Sequence, residues 1–437
     1  MNTLITLSPD AFIAFLKENH IHRFYFVYDF EKNCVRASHA TLQPIADFLQ
    51  NDRRDFNRHE GIFCQLSRSH DVVLSAFVHK TVRGQGAGGV RFWSYDTVED
   101  FLRDGMRLAK GMTQKNALAG LWWGGGKGVI LRSERLDFRD PSIREAIYRE
   151  YGEFITSLKG CYVTAEDVGT FPADMVNIFS RTRFVTCIPE SLGGSGNPSI
   201  ATARGVVKGM EAALHFLHRE TLTGKTICVQ GLGHVGAALV GFLFEKNVAK
   251  IIASDIFPER VEAVKQQFGD RPFEARLVER DDHSILFEPC DIVSPCATGA
   301  ILNERTIPHI QAKIICGAAN NQLEDPNRDD AMLRQRGIWY VPDFLVNRMG
   351  IVHCANEQYG YVDPDPAIER HLGTDWEHSI FRSTLQVFQA AQSTDEPPGK
   401  VAARIADGLA EQPHPIFGHR GKQIIDSLIR SGWHEGG

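Results

Sequence analysis

The sequence lacks the features that mark secreted, membrane-spanning and nucleic-acid-binding proteins. Its nine cysteines include no Cys-x-x-Cys pair, which favours buried free thiols in a reducing compartment over disulfides or a metal site. No apolar run approaches the length of a membrane-spanning helix, and the first residues, MNTLITLSPDAFIAFLKENH, lack the basic start and cleavage site of a signal peptide. There is no long basic run, and the formal net charge is −6. We therefore expect a cytoplasmic protein with no nucleic-acid or membrane partner and no metal.

The length and residue pattern predict an α/β protein with more than one domain. A chain of 437 residues is long for a single core, and 43% hydrophobic with 23% charged residues is typical of globular proteins. After about residue 199, apolar strands alternate with helices, which indicates a parallel sheet covered on both faces. We place the domain boundary in the turn-rich LGGSGNPS segment, and expect domains over 1–198 and 199–390, followed by C-terminal helices over 391–437 that return to the first domain.

The most unusual segment is GMTQKNALAGLWWGGGKGVI, residues 111–130. Helical spacing over 97–119 predicts that a helix ends at Gly120 and the glycines that follow, and that KGVIL is a short strand. The run Gly124 to Gly126 indicates a backbone that turns tightly or approaches another group closely. Lys127 then lies beside apolar surface, although a loop with a surface lysine is the alternative.

A dinucleotide-binding motif begins the second domain. Gly231-Leu232-Gly233-His234-Val235-Gly236 follows the apolar strand TICVQ and opens a helix, which is the context that the G-x-G-x-x-G fingerprint requires. The amide groups at the start of that helix suit a pyrophosphate. Asp255 ends the next strand, where a carboxylate accepts hydrogen bonds from the ribose hydroxyls and repels a 2′-phosphate. The motif therefore predicts NAD, although the nearby Arg260 leaves NADP open. A glycine turn in an unrelated α/β protein is the other reading.

Several longer motifs carry a resemblance to a known family. MTQKN, WGGGKGVI, TAEDVGT, SGNPS, QGLGHVG, CATGAILN, CGAANNQL and VPDFLVN occur in this order. The chain resembles the glutamate/leucine/phenylalanine/valine dehydrogenases from about residue 60 to residue 360, with the leucine and phenylalanine branch the most similar. The resemblance implies an N-terminal α/β catalytic domain and a Rossmann-type domain separated by a cleft. An N-terminal extension of about 45 residues precedes it, with no role that the sequence assigns.

The resemblance implies reversible oxidative deamination of an L-amino acid by NAD to a 2-oxo acid and ammonia, in a homo-oligomer. Lys127 matches the catalytic lysine, Asp167 the carboxylate that handles protons at the substrate nitrogen, and Lys115 the group that binds the substrate carboxylate. An ordinary lysine, with a pKa near ~10.4, is a poor base at pH 7. We expect burial and the charge of Lys115 to lower the pKa of Lys127, since enzymes tune such lysines to roughly 7–8.

The resemblance assigns further residues to the substrate and the cofactor. The substrate residues are Gly88, Gly89, Met112 and Asn321, with Ala87, Ala165, Ile351 and Cys354 around the side chain, and the cofactor residues outside the glycine motif and Asp255 are Thr202, Cys296, Ala297, Thr298 and again Asn321. Arg348 and Met349 depart from the small residues usual after Asn347, with an effect that the sequence leaves open.

Two other functions compete with this one. A glutamate dehydrogenase needs a cation for the distal carboxylate, and the four side-chain residues are uncharged. A non-catalytic NAD-binding regulator would have no chemical need for Lys115, Lys127 and Asp167 together. We therefore expect an apolar substrate, with leucine, isoleucine and valine before phenylalanine and tryptophan.

Overall fold

The fold consists of two units, each built on its own β-sheet. The computed structural model describes residues 4–218, 220–360, 362 and 364–436. The first unit comprises Met1–Asn197, Glu357–Tyr361 and Asp407–Gly437, and the second comprises Pro198–Asn356 and Val362–Ala406. The α/β class is as predicted, while the domain boundaries and roles drawn from the sequence stay predictions.

The first unit contains an eight-stranded mixed sheet with the strand order β2-β1-β3-β4-β7-β5-β8, and β6 also pairs with β7. Its strands are β1 Arg23–Asp29, β2 Cys34–Ala37, β3 Gly61–Leu66, β4 Val72–Lys80, β5 Gly86–Ala87, β6 Val90–Trp93, β7 Gly124–Arg132 and β8 Tyr162–Val163. β1 to β4 and β7 pair antiparallel, whereas β5 and β6 run parallel to β7. The N-terminal extension thus adds β1 and β2 at one edge of the sheet.

Helices cover the first sheet. They are α1 Pro9–Glu18, α2 Gln43–Asn51, α3 Val98–Leu118, α4 Pro141–Ser157, α5 Pro172–Phe179 and α15 Arg420–Arg430. The longest of these, α3, begins at Thr97, whose hydroxyl accepts the N–H of Asp100, and its apolar face packs on β4 and β7. Gly120, with φ of +69°, follows its end.

The glycine run forms the start of strand β7. It is not the tight turn that was one of the two predictions from the sequence. A side chain there would collide with neighbours on both faces of the sheet. A Cβ on Gly124 would lie 2.0 Å from the carbonyl oxygen of Lys80, and one on Gly125 would lie 2.0 Å from the hydroxyl of Thr113 on α3. The glycines therefore serve close approach of the strand and helix, and the predicted short strand KGVIL is the second half of a longer one.

The second unit contains a six-stranded parallel sheet with the order β11-β10-β9-β12-β13-β14. Its strands are β9 Thr226–Gln230, β10 Lys250–Asp255, β11 Phe273–Leu277, β12 Ile292–Pro295, β13 Ile314–Ile315 and β14 Trp339–Tyr340. Its helices are α6 Ser199–His218, α7 His234–Glu245, α8 Pro258–Phe268, α9 Pro326–Gln335, α10 Asp343–Val346, α11 Met349–Glu357, α12 Pro366–His371, α13 Ile380–Thr394 and α14 Pro398–Ala410, of which α11 and α14 end in the first unit. This parallel sheet with flanking helices is the predicted Rossmann-type arrangement.

The remaining global expectations concern cysteines and membranes. All nine cysteines lie in described segments and are free thiols, most of them buried. Within the described residues, the structure has no helix with both the length and the apolarity needed to cross a bilayer.

Candidate active site

Lys127 and Asp167, the two predicted catalytic residues, form an ion pair in the first unit, with Lys127 buried and Asp167 partly buried. Lys127 lies on β7 in the middle of the sheet, and its side chain is only 5% exposed. Its Nζ lies 2.7 Å from Oδ2 of Asp167, which follows the short strand β8. Because β8 reaches β7 through β5, residues 40 positions apart in the chain meet at one point of the sheet.

Gly88 and Gly89 make room for this pair. A Cβ on Gly88 would lie 2.0 Å from the carbonyl oxygen of Gly126 and 2.9 Å from Cγ of Met112. A Cβ on Gly89 would lie 2.8 Å from Cβ of Asp167. The glycine pair therefore lets its backbone lie directly against the strand that carries Lys127 and the loop that carries Asp167, beside Met112 on α3.

The surroundings of the pair favour the ionised carboxylate of Asp167 and disfavour the protonated amine of Lys127. Burial by itself raises the pKa of Asp167, but the positive charges of Lys127 and Arg91 lower it to about 2. Burial lowers the pKa of Lys127, Asp167 opposes this effect, and the charge of Arg91 adds to the lowering, so the pKa lies below its ordinary value. The predicted lowering is present, and Arg91 is a cause that the sequence analysis did not identify; the predicted contribution of Lys115 stays a prediction.

The other predicted substrate residues of the first unit lie on adjacent segments. Lys115 is on α3, one turn after Met112, and is partly exposed. Ala87 on β5 and Ala165 after β8 are both buried, and the N–H of Val90 donates to the carbonyl of Ala165 at 2.8 Å. Ala87 and Ala165 thus lie on neighbouring segments, and their contact with the substrate side chain stays a prediction.

Arg91, Asp104 and Tyr95 are polar residues of this region that the motifs did not reveal. The guanidinium of Arg91 donates to Asp167 and to both oxygens of Asp104, and the hydroxyl of Tyr95 also donates to Asp104. The available signal was the position of Arg91 in GAGGVRF, two residues after the glycine pair. Its partners are not readable from that motif.

In the second unit, the glycine motif forms a tight turn between β9 and α7. Gly231 has φ of +95°, and a Cβ on Gly236 would lie 1.9 Å from the carbonyl oxygen of Gly231. Gly233 is the N-cap of α7 and supplies no side chain to its first amide groups. His234 and Val235 form the first turn of that helix. The turn has the close packing and amide-bearing helix start that a dinucleotide pyrophosphate requires, so these residues fit the cofactor.

Asp255 ends β10 as predicted, and its carboxylate supports the turn. It is buried, Oδ2 accepts the N–H of Leu232 at 2.7 Å, and Oδ1 accepts the N–H of Phe257 at 2.9 Å. Nη1 of Arg260 lies 3.7 Å from Oδ2, and its guanidinium stacks on the ring of Phe257. Asp255 thus has a structural role beside the predicted ribose contact, with a cation close by.

Three further predicted cofactor positions follow β12, beside the glycine turn. The N–H of Cys296 donates to the carbonyl of Gln230 at 2.7 Å, and Cβ of Ala297 would be 2.8 Å from a Cβ on Gly231. Thr298, next in the chain, is exposed. The structure therefore brings these positions together with the motif at the carboxyl ends of β9 and β12.

Asn321 and Thr202 lie on other segments of the second unit. Asn321 has φ of +52°, its N–H donates to Asp343, and its carbonyl accepts the N–H of Ala300. Thr202 lies in the first turn of α6, where its hydroxyl donates to the carbonyl of Pro198 at 3.0 Å. A Cβ on Gly350 would lie 3.2 Å from that hydroxyl, so Thr202 faces the start of α11.

Ile351 and Cys354 are both buried on α11, one turn apart. Arg348, just before this helix, is fully buried and donates to the carbonyl of His378 and, at 3.4 Å, to the hydroxyl of Ser383. Burial lowers its pKa to about 9. The side chain of Arg348 therefore packs inside the second unit, against the segment that leads into α13.

Comparison with known proteins identifies the family of this chain. The family model described as Glu/Leu/Phe/Val dehydrogenase, dimerisation domain, matches residues 68–184, and the model described as Glutamate/Leucine/Phenylalanine/Valine dehydrogenase matches residues 193–257 and 259–406. The chain belongs to the Glu/Leu/Phe/Val dehydrogenase family. The predicted family is thereby confirmed.

Individual members of the family show the same similarity along most of the chain. A leucine dehydrogenase of Geobacillus stearothermophilus is 40% identical over 82% of this chain and 91% of its own. A phenylalanine dehydrogenase of Lysinibacillus sphaericus is 37% identical over 77% of this chain and 84% of its own. The crystal structure of L-tryptophan dehydrogenase from Nostoc punctiforme matches with a TM-score of 0.64 and 34% identity, over 80% of this chain and 96% of that one. The chain is thus an oxidoreductase of the amino acid dehydrogenase class, which acts on CH–NH₂ groups with a pyridine nucleotide.

Proposed function

We propose that the protein catalyses the reversible, NAD-dependent oxidative deamination of an apolar L-amino acid to the 2-oxo acid and ammonia. The observation that carries this proposal is the largely buried Lys127–Asp167 pair, 2.7 Å apart, in a chain of this family. The similar proteins named leucine, phenylalanine and L-tryptophan dehydrogenase support the apolar substrate class. We propose a homo-oligomer, since the matched N-terminal model is described as a dimerisation domain.

The chemistry assigns a different task to each side chain. A bound nicotinamide would supply the acceptor for the hydride of the substrate Cα, whose loss converts the substrate amine to an iminium. Lys127, buried and with a lowered pKa, is the base that takes a proton from the water attacking the iminium carbon. Asp167, ionised before the reaction, takes a proton from the substrate ammonium group and returns a proton to the nitrogen that leaves as ammonia. Lys115 binds the substrate carboxylate through a charge-assisted contact.

The choice of NAD rests on Asp255. It ends β10, the strand that follows the glycine motif, and a carboxylate at this position of a Rossmann-type motif supports hydrogen bonds to the adenosine ribose and disfavours a 2′-phosphate. Arg260, 3.7 Å away, partly offsets that charge. We therefore propose NAD as the preferred nucleotide and expect measurable but weaker use of NADP.

The choice of an apolar side chain rests on the residues assigned to its pocket. Ala87, Ala165, Ile351 and Cys354 carry no charge, and burial of an unpaired second carboxylate disfavours glutamate by roughly a hundredfold or more. Among apolar side chains each methylene changes the free energy of transition-state binding by only about 1–3 kcal/mol. We therefore propose leucine, isoleucine and valine first, with phenylalanine and tryptophan close behind.

The test is NADH formation at alkaline pH with a panel of L-amino acids, with NAD and NADP measured side by side. We expect turnover with branched-chain or aromatic amino acids, little with glutamate, and preference for NAD. Lys127→Ala should abolish turnover while NADH still binds, and Lys110→Ala, which changes another lysine of the same unit, serves as the matched control. Faster turnover of glutamate than of every apolar amino acid would refute the substrate class. NADH binding without turnover of any member would favour the non-catalytic regulator.

A further inference from the structure

Arg91 connects the Lys127–Asp167 pair to a second carboxylate. Its Nε donates to Oδ2 of Asp167 at 3.3 Å, the same oxygen that accepts Nζ of Lys127. Its Nη1 donates to the two oxygens of Asp104 at 3.0 and 2.8 Å. The side chains of Arg91 and Asp104 are only 19% and 22% exposed. Four charged groups of alternating sign thus form one continuous, largely buried chain: Lys127, Asp167, Arg91 and Asp104.

Three of these four groups lie on strands or a helix, with Lys127 on β7. Arg91 lies on β6, which pairs with the strand of Lys127, and Asp104 lies on α3, which packs on that strand. The hydroxyl of Tyr95 donates to Asp104. A guanidinium is planar and binds two carboxylates at once, so its orientation is set from both sides.

We propose that Arg91, oriented by Asp104, is a positioning residue for the reaction proposed above, on which this inference rests. It holds the carboxylate of Asp167 against Lys127 and sets the pH range in which Lys127 acts as a base.

The physical reason lies in how the neighbouring charges act on Lys127. The largest effect on the pKa of Lys127 is burial, which lowers it, followed by the charge of Asp167, which raises it. The charge of Arg91 lowers the pKa further, and the charge of Asp104 raises it. Glu166 and Tyr162 are further titratable groups near Asp167. Burial raises the pKa of both, so Tyr162 is uncharged near neutral pH, whereas Glu166, with a pKa of about 7, is only partly ionised there. Asp174 adds to this rise at Glu166. Arg91 is therefore the cation that offsets the carboxylate of Asp167 and makes the neutral amine of Lys127 accessible.

The opposite signs of Arg91 and Asp104 provide the test. The pH dependence of kcat/KM is measured with the best amino acid of the panel and saturating nucleotide. Because loss of the cation raises the pKa of Lys127, we expect Arg91→Gln to shift the acidic limb to higher pH by about one unit. This shift corresponds to a tenfold loss of kcat/KM at a fixed pH on that limb. Asp104→Asn should shift the limb to lower pH. Arg91→Lys keeps the charge but cannot bridge two carboxylates in the same way, so it should leave the limb in place and lower kcat.

Arg103→Gln is the matched control. Arg103 also bridges carboxylates, those of Asp52 at 2.8 Å, Asp55 at 2.9 Å and Glu99 at 2.8 Å, and its side chain is 18% exposed. It lies outside the Lys127 network, so Arg103→Gln should change stability and leave the limb in its wild-type position. A purely structural role for Arg91 predicts that both arginine variants keep the wild-type limb. That result, or a shift of Arg91→Gln and Asp104→Asn in the same direction, would overturn the proposal.

A second measurement needs no turnover and separates this inference from the proposed function. Trace labelling with acetic anhydride, followed by peptide mass spectrometry, reports the fraction of neutral amine at Lys127 as a function of pH. We expect the midpoint to rise in Arg91→Gln and to fall in Asp104→Asn, with each variant checked for native circular dichroism. If the wild type turns over no amino acid, the proposed function fails, and this titration still decides whether Arg91 controls Lys127. An unchanged midpoint in Arg91→Gln would refute the inference whatever the activity.

Discussion

Asp167→Asn removes the charge that Lys127 and Arg91 share, while it keeps the size of the side chain. The pKa of Asp167 is about 2 in the fold, against an ordinary value of 3.8. This difference means that the fold favours the carboxylate over the protonated acid by roughly 2 kcal/mol. Since burial opposes the charged form, the preference comes from the two cations. We therefore expect Asp167→Asn to lower the free energy of unfolding of the first unit by about 2 kcal/mol at pH 7.

A double-mutant cycle tests the cause of this loss. In a Lys127→Met background one of the two cations is absent, so Asp167→Asn should cost about 1 kcal/mol or less. The assay is urea unfolding followed by hydrogen exchange of the peptide 124–132, which reports on the first unit only. An equal loss in both backgrounds would show that Lys127 does not stabilise the carboxylate. Asp167→Asn should also abolish turnover, because the substrate nitrogen loses its proton partner.

Three further predictions concern substrate, nucleotide and pH. Lys115→Ala should raise KM for the amino acid about tenfold or more with little change in NADH affinity, and an unchanged KM in steady-state kinetics would contradict its role. Asp255→Ser should raise the kcat/KM ratio of NADP to NAD, and should also loosen the glycine turn by loss of the Leu232 and Phe257 contacts; a wild type that already prefers NADP would show the assignment to be wrong. His59 is buried with its pKa lowered by burial from 6.5 to about 4, so the folded state binds fewer protons than the unfolded state and loses stability as pH falls through this window. The contribution of His59 to the loss between pH 7 and pH 5 should be about 2 kcal/mol, measured by urea unfolding as the difference between the wild type and His59→Gln, and an equal loss in the variant would refute this cause.

The sequence by itself determined the elements whose signals are local. The strand at 226–230 and the helix beginning at His234 were both predicted, because an apolar run, a glycine turn and a helical period all lie within one short segment. Lys127 and Asp167 were also identified from sequence, through motifs that resemble those of a family. The resemblance named the two residues, but it gave neither their separation of 2.7 Å nor their burial.

Only the tertiary structure decided what surrounds these residues. The glycines before Lys127 indicated a turn when considered alone, and they form a strand because β4, α3 and β5 approach that segment more closely than any side chain allows. Asp255 was assigned to the ribose, and the fold shows that its oxygens also accept two backbone amides. Arg91 and Asp104 carried no motif that joined them to Lys127. The protonation of Lys127 depends on charges from β6, α3 and the loop after β8, which folding brings within a few ångströms, and electrostatic interactions act through that distance and not along the chain.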